Sequence, residues 1–384
     1  MPLKILINGV TFDNANIAPL LTNIKYWQKH DCQISIIGNK ILKKKIIDQE
    51  IIDTKSIKYF EVNENTKIDS KIKLITVGLK RNFILLKEIK NYTNKYDIVH
   101  CRSSVLDILL FPFFLKCFDK KIKLTAVFDN LVPFTDYGNK IIRFLAWFFF
   151  IISVHLLRKA DTIFVVNPDV KDYLLNRGFD PKKILLTGNA VNNSHLIKQA
   201  KYNPKNKYDA VFLGRINETK GIYDMLDVLK IIIKKYPAFT LAVVGPGDKT
   251  TVKQYKNEIK RCRLNKNIKL LGWVSEKEKY SILKSSKIFL FLSKSVVEAF
   301  GIALLEAVCS GKPAFAYFLP IYKYIYQNKE INTFKIGDTE SVAKAIIKTF
   351  KNKHFENKNG KKLLNKYSWE KIAKMELSAF KLLF

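Results

Sequence analysis

Residues 294–313 read KSVVEAFGIALLEAVCSGKP and contain the clearest succession of turn and helix in the chain. An apolar, strand-like run at 288–292 comes directly before them. The chain turns at Phe300-Gly301, and residues 302–310 have the composition of a short helix. Gly311 is placed as the C-terminal cap of this helix, and Pro313 prevents its continuation. The stretch therefore predicts a strand, a tight turn and a helix, the repeating unit of an α/β sheet.

Two glutamates bracket this turn. Glu298 lies just before it, and Glu306 lies inside the helix among alanine, leucine, valine and cysteine. A buried carboxylate without a partner is costly, so Glu306 needs a hydrogen-bond donor. The spacing leaves two donors open, a hydroxyl of a ligand or a backbone group of the protein itself.

The composition indicates a basic, globular protein. The chain has 384 residues, enough for two domains, and its hydrophobic fraction of 48% excludes a disordered protein. A net charge of +33 favours an anionic partner, such as a membrane surface or a phosphate-bearing substrate, although a general richness in lysine explains it equally well. No nucleic-acid motif is present, so we expect no specific nucleic-acid partner. Five scattered cysteines, and a first strand-like run at 3–7 with no leader before it, predict a cytoplasmic protein.

Strand-like and helix-like segments alternate along the chain. Strand-like runs fall at 3–7, 33–37, 97–101, 122–127 and 162–166, and again at 209–213, 239–244, 267–271, 287–292, 313–317 and 333–336. Helical patterns lie at 15–29, 79–92, 104–118, 139–159 and 168–177, and again at 220–235, 250–262, 275–285, 302–310 and 339–350. The alternation predicts parallel strands joined by crossover helices in doubly wound sheets. Ligands bind such sheets beyond the carboxyl ends of the strands.

A polar, turn-rich stretch separates the two series of segments and predicts a linker at 191–207. We therefore expect two Rossmann-like α/β domains, at 1–190 and at 208–367, facing a cleft. Ser368 is placed as the N-cap of one further helix at the end of the chain.

Residues 141–157 are apolar on nearly every face and are flanked by basic residues. The segment is shorter than the roughly 20 residues that a membrane-spanning helix needs, and it contains Arg143. Two interpretations stay open. One is a buried crossover helix, and the other is a helix that lies in the membrane interface. The side chains that would enter the interface are Trp147, Phe148, Phe149 and Phe150.

Basic residues follow the strand-like run at 209–213. Gly214 permits a tight turn there, Arg215 offers a planar fork to a phosphate, and Lys220 adds a compact positive charge at a helix start. These residues are suited to clamp a diphosphate, although two solvated basic residues on a loop would look the same. The chain contains no Asp-x-Asp pair, so the sequence does not indicate a carboxylate-held metal.

Five motifs follow one another in the second half of the chain. They are Gly214-Arg215 with Lys220-Gly221, Gly245-Pro246-Gly247, Leu271-Gly272-Trp273-Val274, Glu298-Ala299-Phe300-Gly301 with Leu305-Glu306-Ala307, and Gly311-Lys312-Pro313. In this order they resemble the retaining glycosyltransferases of GT-B fold, glycosyltransferase family 4. The resemblance covers about 208–315 and 367–376 and is diffuse in the first 190 residues.

The resemblance implies a role for the charged residues. Arg215 and Lys220 would neutralise the diphosphate of a nucleotide-sugar donor, with no metal or other cofactor. Glu298 would hold the donor sugar and belong to the catalytic set. Glu306 would accept hydrogen bonds from the ribose hydroxyls.

The same resemblance implies roles for backbone and ring groups. The backbone at Phe300-Gly301 would hold the donor sugar, and Gly214 would shape the turn at the diphosphate. The base would lie beside Gly272, Trp273 and Val274. In the first domain, Gly9 would let the first loop approach the diphosphate. The helix at 368–384 would pack back on the first domain.

Three departures from the family pattern stand out. The first loop reads Asn8-Gly9-Val10-Thr11 in place of a Gly-Gly pair, and Phe128-Asp129 stands where many members have a histidine. His100 matches a histidine that the family has at a strand end, so it is the candidate for acceptor-side catalysis, with a purely structural histidine as the alternative. Residues 316–320 read AYFLP in place of a glycine-rich continuation.

The sequence thus predicts a retaining, metal-independent glycosyltransferase on the inner face of the cell membrane. It would move a sugar from a nucleotide-diphosphate sugar to a hydroxyl of a glycan or lipid-linked acceptor, in peripheral contact with anionic lipid. The alternative is a noncatalytic partner subunit of the same fold that binds nucleotide-sugar or another transferase. An epimerase or a phosphorylase of this architecture is a further alternative.

Overall fold

The structure is a computed structural model that describes residues 2–9, 17–48, 51–62, 71–129, 131–132, 140–191, 194–295, 298–327 and 329–384. The chain divides into two compact units. The first unit contains residues 1–189 and 369–384, and the second contains residues 190–368.

The described part of the first unit holds a seven-stranded sheet in which every pairing is parallel. Its strands are β1 (Leu3–Asn8), β2 (Cys32–Gly38), β3 (Lys58–Glu61), β4 (Ile98–Cys101), β5 (Lys123–Phe128), β6 (Thr162–Val165) and β7 (Ile184–Leu186). Its first six helices are α1 (Ala18–Gln28), α2 (Lys40–Asp48), α3 (Lys71–Lys87), α4 (Leu106–Phe118), α5 (Lys140–Leu156) and α6 (Pro168–Leu175). The strand order is β3-β2-β1-β4-β5-β6-β7, so the winding direction reverses between β1 and β4.

The described part of the second unit holds a parallel sheet of six strands in the order β10-β9-β8-β11-β12-β13. They are β8 (Ala210–Leu213), β9 (Leu241–Val244), β10 (Ile268–Gly272), β11 (Ile288–Phe291), β12 (Ala314–Tyr317) and β13 (Asn332–Phe334). The helices that follow in the chain are α7 (Ser194–Gln199), α8 (Ile222–Ile233), α9 (Lys249–Arg261), α10 (Glu276–Ser285), α11 (Ile302–Cys309), α12 (Tyr322–Ile325), α13 (Thr339–Lys351), α14 (Lys358–Lys366) and α15 (Trp369–Lys381). Here the winding direction reverses between β8 and β11.

The predicted α/β class with doubly wound parallel sheets is confirmed. The central strands β4, β6, β8, β9, β11 and β12 are buried at every position, because helices cover both faces of such a sheet. The alternation did not predict the two edge strands of the first sheet. Lys58–Glu61 and Ile184–Leu186 are short and partly exposed, so they lack the continuous apolar run that marks a central strand.

Residues 190–207 belong to the second unit. Val191 and Ile197 are buried in its core, and α7 contacts α10. The polar stretch expected to be a linker therefore contains a short helix that packs on the second sheet's helices. Helix α15 begins at Trp369, directly after the predicted N-cap, and lies against α1 in the first unit.

Candidate functional site

The predicted donor-site residues of the second unit gather at one edge of its sheet. Gly214 and Arg215 follow β8, and Ser293 and Lys294 lie just beyond β11. These two strands flank the point where the winding reverses, and their carboxyl ends form the usual ligand crevice of a doubly wound sheet. Arg215 is exposed, which leaves its guanidinium open to a ligand.

Two residues predicted as catalytic form an ion pair. The Lys220 ammonium donates to Oε2 of Glu298, and the Ser293 hydroxyl lies 3.3 Å from the same oxygen. The Lys220 side chain is 18% exposed and the Glu298 side chain 16%, so the pair is accessible without being fully solvated. Serine, lysine and glutamate thus provide hydrogen-bond donors and an acceptor at one place.

The turn after Glu298 depends on Gly301. Its φ of 72° lies in the left-handed region, and a Cβ atom there would be 3.2 Å from the ring of Tyr322. Helix α11 starts directly after it, and no side chain of the described residues caps this N-terminus. Its first backbone N–H groups are therefore available to an anion. Phe300 itself is buried and packs edge-on against Tyr367, so only its backbone is placed to serve a ligand.

Glu306 already has partners, and they come from a neighbouring helix. The hydroxyl of Tyr280 donates to Oε1 at 2.7 Å, and the Lys279 ammonium lies 3.1 Å from Oε1 and 3.0 Å from Oε2. Burial raises the pKa of the Glu306 carboxyl, which the ammonium counteracts. The required donor is thus supplied by two side chains of α10, and the ribose contact stays a prediction.

The loop after β10 carries the residues predicted beside the base. Gly272 ends the strand, and Val274 packs on the core. The Trp273 side chain is 76% exposed, so its indole ring offers a flat apolar surface to solvent or to a base.

Lys312, in the Gly-Lys-Pro motif, is a structural residue. Its ammonium donates to the carbonyl oxygens of Lys284 and Ser286, at 2.8 and 2.6 Å, and so caps the C-terminal end of α10. Burial lowers the pKa of Lys312 to about 8.

In the first unit, Gly9 is required by close packing. A Cβ atom there would lie 2.5 Å from a methyl group of Leu42 and 2.6 Å from the carbonyl oxygen of Ile37. Residues 10 and 11 of the first loop lie outside the described residues. The role of Gly9 at a diphosphate therefore stays a prediction.

The prediction of His100 as a catalytic residue is wrong. Its side chain is completely buried, with Nδ1 2.9 Å from the hydroxyl of Thr125 and its ring against Trp27, Phe164 and Phe380. Burial lowers the pKa of this imidazole well below its ordinary value. A neutral ring enclosed by aromatic side chains cannot reach a substrate.

Phe128, which replaces the family histidine, is also a core residue. It is fully buried and stacks on Phe150 and Tyr173. The next residue, Asp129, is the polar group at this strand end, and burial raises the pKa of its carboxyl.

The buried His100 makes stability depend on pH. Its folded pKa lies below the unfolded value of about 6.5, so the unfolded state binds more protons as the pH falls through that value. We expect the free energy of unfolding, measured with urea, to fall by about 1.4 kcal/mol between pH 8 and pH 5.5 on this account. The variant His100→Asn keeps a hydrogen-bond partner for Thr125. Its free energy of unfolding should fall by about 1.4 kcal/mol less than that of wild type over the same pH interval. An equal loss in both proteins would show that His100 does not contribute.

Helix α5 presents one apolar face to solvent. Ile141 is 70% exposed, Phe144 50% and Phe148 44%, and their spacing places them on one side of the helix. The residues named for membrane contact are therefore divided. Phe148 lies on the exposed face, whereas Trp147, Phe149 and Phe150 are half-buried, and Phe150 packs against Phe128 and Tyr173. In the described part of the chain, no helix is both long and apolar enough to cross a membrane.

Several contributing side chains had no signal in the sequence. Lys279 and Tyr280 contact a residue 26 or more positions away, and they look like ordinary residues of an amphipathic helix. Ser293 contacts Glu298 from the end of a strand. Within the described ranges, no group of three or more histidine, cysteine, aspartate or glutamate side chains could hold a metal ion.

Both halves of the chain are similar to known proteins. Residues 194–365 match the family model of glycosyl transferases group 1, and residues 62–195 match that of glycosyltransferase family 4. Among curated proteins, the phosphatidyl-myo-inositol mannosyltransferase of Mycobacterium leprae is 26% identical over 168 residues, which cover 42% of this chain and 43% of that protein. The poly(glycerol-phosphate) alpha-glucosyltransferase of Bacillus subtilis is 25% identical over 175 residues, 43% of this chain and 24% of that protein. The chain thus spans less than half the length of these curated relatives.

A solved structure shares the fold. HepE of Anabaena, solved in complex with UDP and glucose, superposes with a TM-score of 0.73 at 15% identity and covers 99% of each chain. At this identity the likeness shows the fold alone, which is GT-B. The two adjoining family models together run from residue 62 to residue 365. The chain therefore belongs to the group 1 glycosyltransferases of family 4.

Proposed function

We propose that this protein is a retaining, metal-independent glycosyltransferase. It transfers a sugar from a nucleotide-diphosphate sugar to a hydroxyl group of a glycan or a lipid-linked acceptor. The single observation that carries the proposal is the ion pair of Lys220 and Glu298 at the winding reversal of the second sheet, with the exposed Arg215 in the loop that leads from β8 to Lys220. Family membership supports the same conclusion.

The positive charges of these residues suit the departure of a nucleoside diphosphate. When the bond from the sugar carbon to the phosphate oxygen breaks, negative charge develops on that oxygen. Lys220 and Arg215 would neutralise this negative charge, and the free N–H groups at the start of α11 would stabilise it further. Because two cationic side chains can carry this task, the proposal needs no metal ion. The acceptor hydroxyl bonds to the carbon on the same face, and its proton goes to the leaving phosphate.

The nature of the acceptor is proposed from the relatives. One is named for transfer to phosphatidyl-myo-inositol and another for transfer to poly(glycerol-phosphate). Both names describe acceptors that are lipid-linked or polymeric. We therefore propose an acceptor of this kind, used in the synthesis of a surface glycan.

The experiment is a donor panel on the purified chain. UDP-, GDP- and ADP-linked sugars are supplied with EDTA present, and release of the nucleoside diphosphate is measured together with the anomeric configuration of the product by NMR. Release with a retained configuration is the expected result. Tight nucleotide binding without any turnover would favour the alternative of a noncatalytic partner subunit.

We further propose that α5 contacts an anionic membrane, at the inner face of the cell membrane. The support is the exposed apolar face of Ile141, Phe144 and Phe148, together with the net charge of +33. An apolar face inserted into the interface and a basic surface facing the lipid headgroups act together in peripheral binding. Such binding would bring the protein to a lipid-linked acceptor.

We expect the double variant Phe144→Ser and Phe148→Ser to lose most of its flotation with vesicles of phosphatidylglycerol. Both side chains are exposed, so their replacement removes apolar surface without opening the core. The matched control is Ile336→Ser, which changes a 41% exposed apolar residue of the second unit. Unchanged flotation of the double variant would assign membrane binding to the basic surface instead.

A further inference from the structure

The backbone of Lys294 lies next to the backbone that leads into Lys220. It lies just beyond β11, and its main-chain N–H donates to the carbonyl oxygen of Thr219 at 2.8 Å. Thr219 is the residue directly before Lys220, so the two lysine side chains begin at neighbouring points. Both belong to the edge of the sheet where the winding reverses.

The Lys294 ammonium is held by Asp224. Its Nζ lies 2.6 Å from Oδ1 of that residue, while Oδ2 accepts a hydrogen bond of 2.6 Å from the hydroxyl of Tyr317. Tyr317 is completely buried, and the Asp224 side chain is 11% exposed. The Lys294 side chain is 38% exposed, so it covers the carboxylate from the solvent side.

Lys294 is not the only group that stabilises the negative charge of Asp224. It lies in the first turn of α8, where the positive end of the helix favours a carboxylate. The hydroxyl of Tyr317 supplies a second interaction. The ammonium of Lys294 can therefore leave Asp224 at moderate cost, and its long, flexible side chain can turn toward a ligand.

We propose that Lys294 is a third phosphate-binding cation of the donor site and that Asp224 restrains it when no donor is bound. The inference rests on the proposed function, because it assigns a further residue to the same diphosphate site. The nucleoside diphosphate competes with Asp224 for the ammonium. Asp224 thus lowers the affinity for the diphosphate, and Lys294 raises it.

The competition predicts opposite effects for the two residues. Lys294→Met removes a charged contact to phosphate, and we expect the Kd for UDP or GDP to rise about tenfold, with a weaker dependence on salt. Asp224→Asn keeps an acceptor for Tyr317 and removes the competing charge, so we expect the Kd to fall about threefold. In the Lys294→Met background, Asp224→Asn should have no such effect.

The test is isothermal titration of wild type and variants with UDP, GDP and inorganic pyrophosphate at several KCl concentrations. Pyrophosphate reports on the phosphate contacts without a base or ribose. Lys230→Met on α8 is the matched control, because Lys230 forms a solvent-exposed pair with Asp227, and the Kd of this variant should equal that of wild type. If Asp224→Asn does not fold, Lys294→Met and Lys294→Gln carry the comparison.

Two results would overturn the inference alone. One is an unchanged Kd in Lys294→Met while wild type binds a nucleoside diphosphate. The other is weaker binding by Asp224→Asn with a lowered melting temperature, which would make the pair purely structural. If wild type binds none of the three probes, the proposed function fails and the inference fails with it.

Discussion

Replacing Lys220 by alanine is expected to lower kcat/KM for the nucleotide-sugar donor by about 10²- to 10³-fold. The Lys220 ammonium lies against Glu298 at the sheet edge where the diphosphate would bind. Its charge would stabilise the leaving phosphate more strongly in the transition state than in the bound donor. The loss should therefore fall mainly on kcat, measured as release of the nucleoside diphosphate at saturating donor.

The same variant should remain folded. The Glu298 carboxylate that the variant leaves behind is 16% exposed, so water can reach it, and the Ser293 hydroxyl still lies 3.3 Å from its Oε2. The melting temperature, followed by circular dichroism, checks this. Lys230→Ala is the matched control and should keep both turnover and melting temperature, because the Lys230 ammonium forms a solvent-exposed pair with Asp227 on the helix surface. Near-normal turnover of Lys220→Ala would refute the assignment of Lys220 to the phosphate site.

Replacing Glu306 by glutamine is expected to affect stability and donor binding together. Glutamine can still accept the hydrogen bond from Tyr280, but it leaves the Lys279 ammonium without its buried carboxylate. We expect the free energy of unfolding to fall by about 2 to 3 kcal/mol, measured with urea at pH 7.5. The exposed Glu276 remains as a second partner of Lys279 and limits the loss.

The double variant Lys279→Met and Glu306→Gln separates the two roles of Glu306. Methionine removes the unpaired ammonium, so most of the lost stability should return. Donor recognition should not return, because a ribose hydroxyl still lacks its carboxylate. Wild type should bind UDP more tightly than 2′-deoxy-UDP, and both variants should bind the two nucleotides equally. If the stable double variant still discriminates against the deoxy nucleotide, Glu306 serves the fold alone.

Local patterns were sufficient to predict most of the fold. Apolar runs with helical patterns between them indicated the central strands and their parallel direction, because a buried parallel strand is apolar at every position. The edge strands Lys58–Glu61 and Ile184–Leu186 were not predicted. An edge strand is only partly buried, so it lacks the continuous apolar run of a central strand. Likewise, the polar character of 191–207 concealed α7, in which Leu196 and Ile197 are the two apolar residues.

Part of the arrangement of the predicted donor-site residues could be foreseen from the sequence. Gly214, Arg215, Lys220 and Glu298 follow strands that flank the winding reversal, so their meeting follows from the topology. His100 also stands at a strand end, and the same argument failed for it. The ring of His100 is covered in part by Phe380 of α15, which lies 280 positions further along the chain. No local pattern indicates which strand end such a helix covers.

The sequence by itself determined the alternation of the central strands with helices, the family, and the loops that carry positive charge. These follow from short-range periodicity and from motif spacing, which depend only on neighbours along the chain. Only the tertiary structure decided which charges neutralise each other. It paired Glu306 with Lys279, gave Lys294 to Asp224 and enclosed His100 among aromatic rings. The physical reason is that helix packing brings together residues that are distant in sequence, and burial then fixes the partner that each polar group must have.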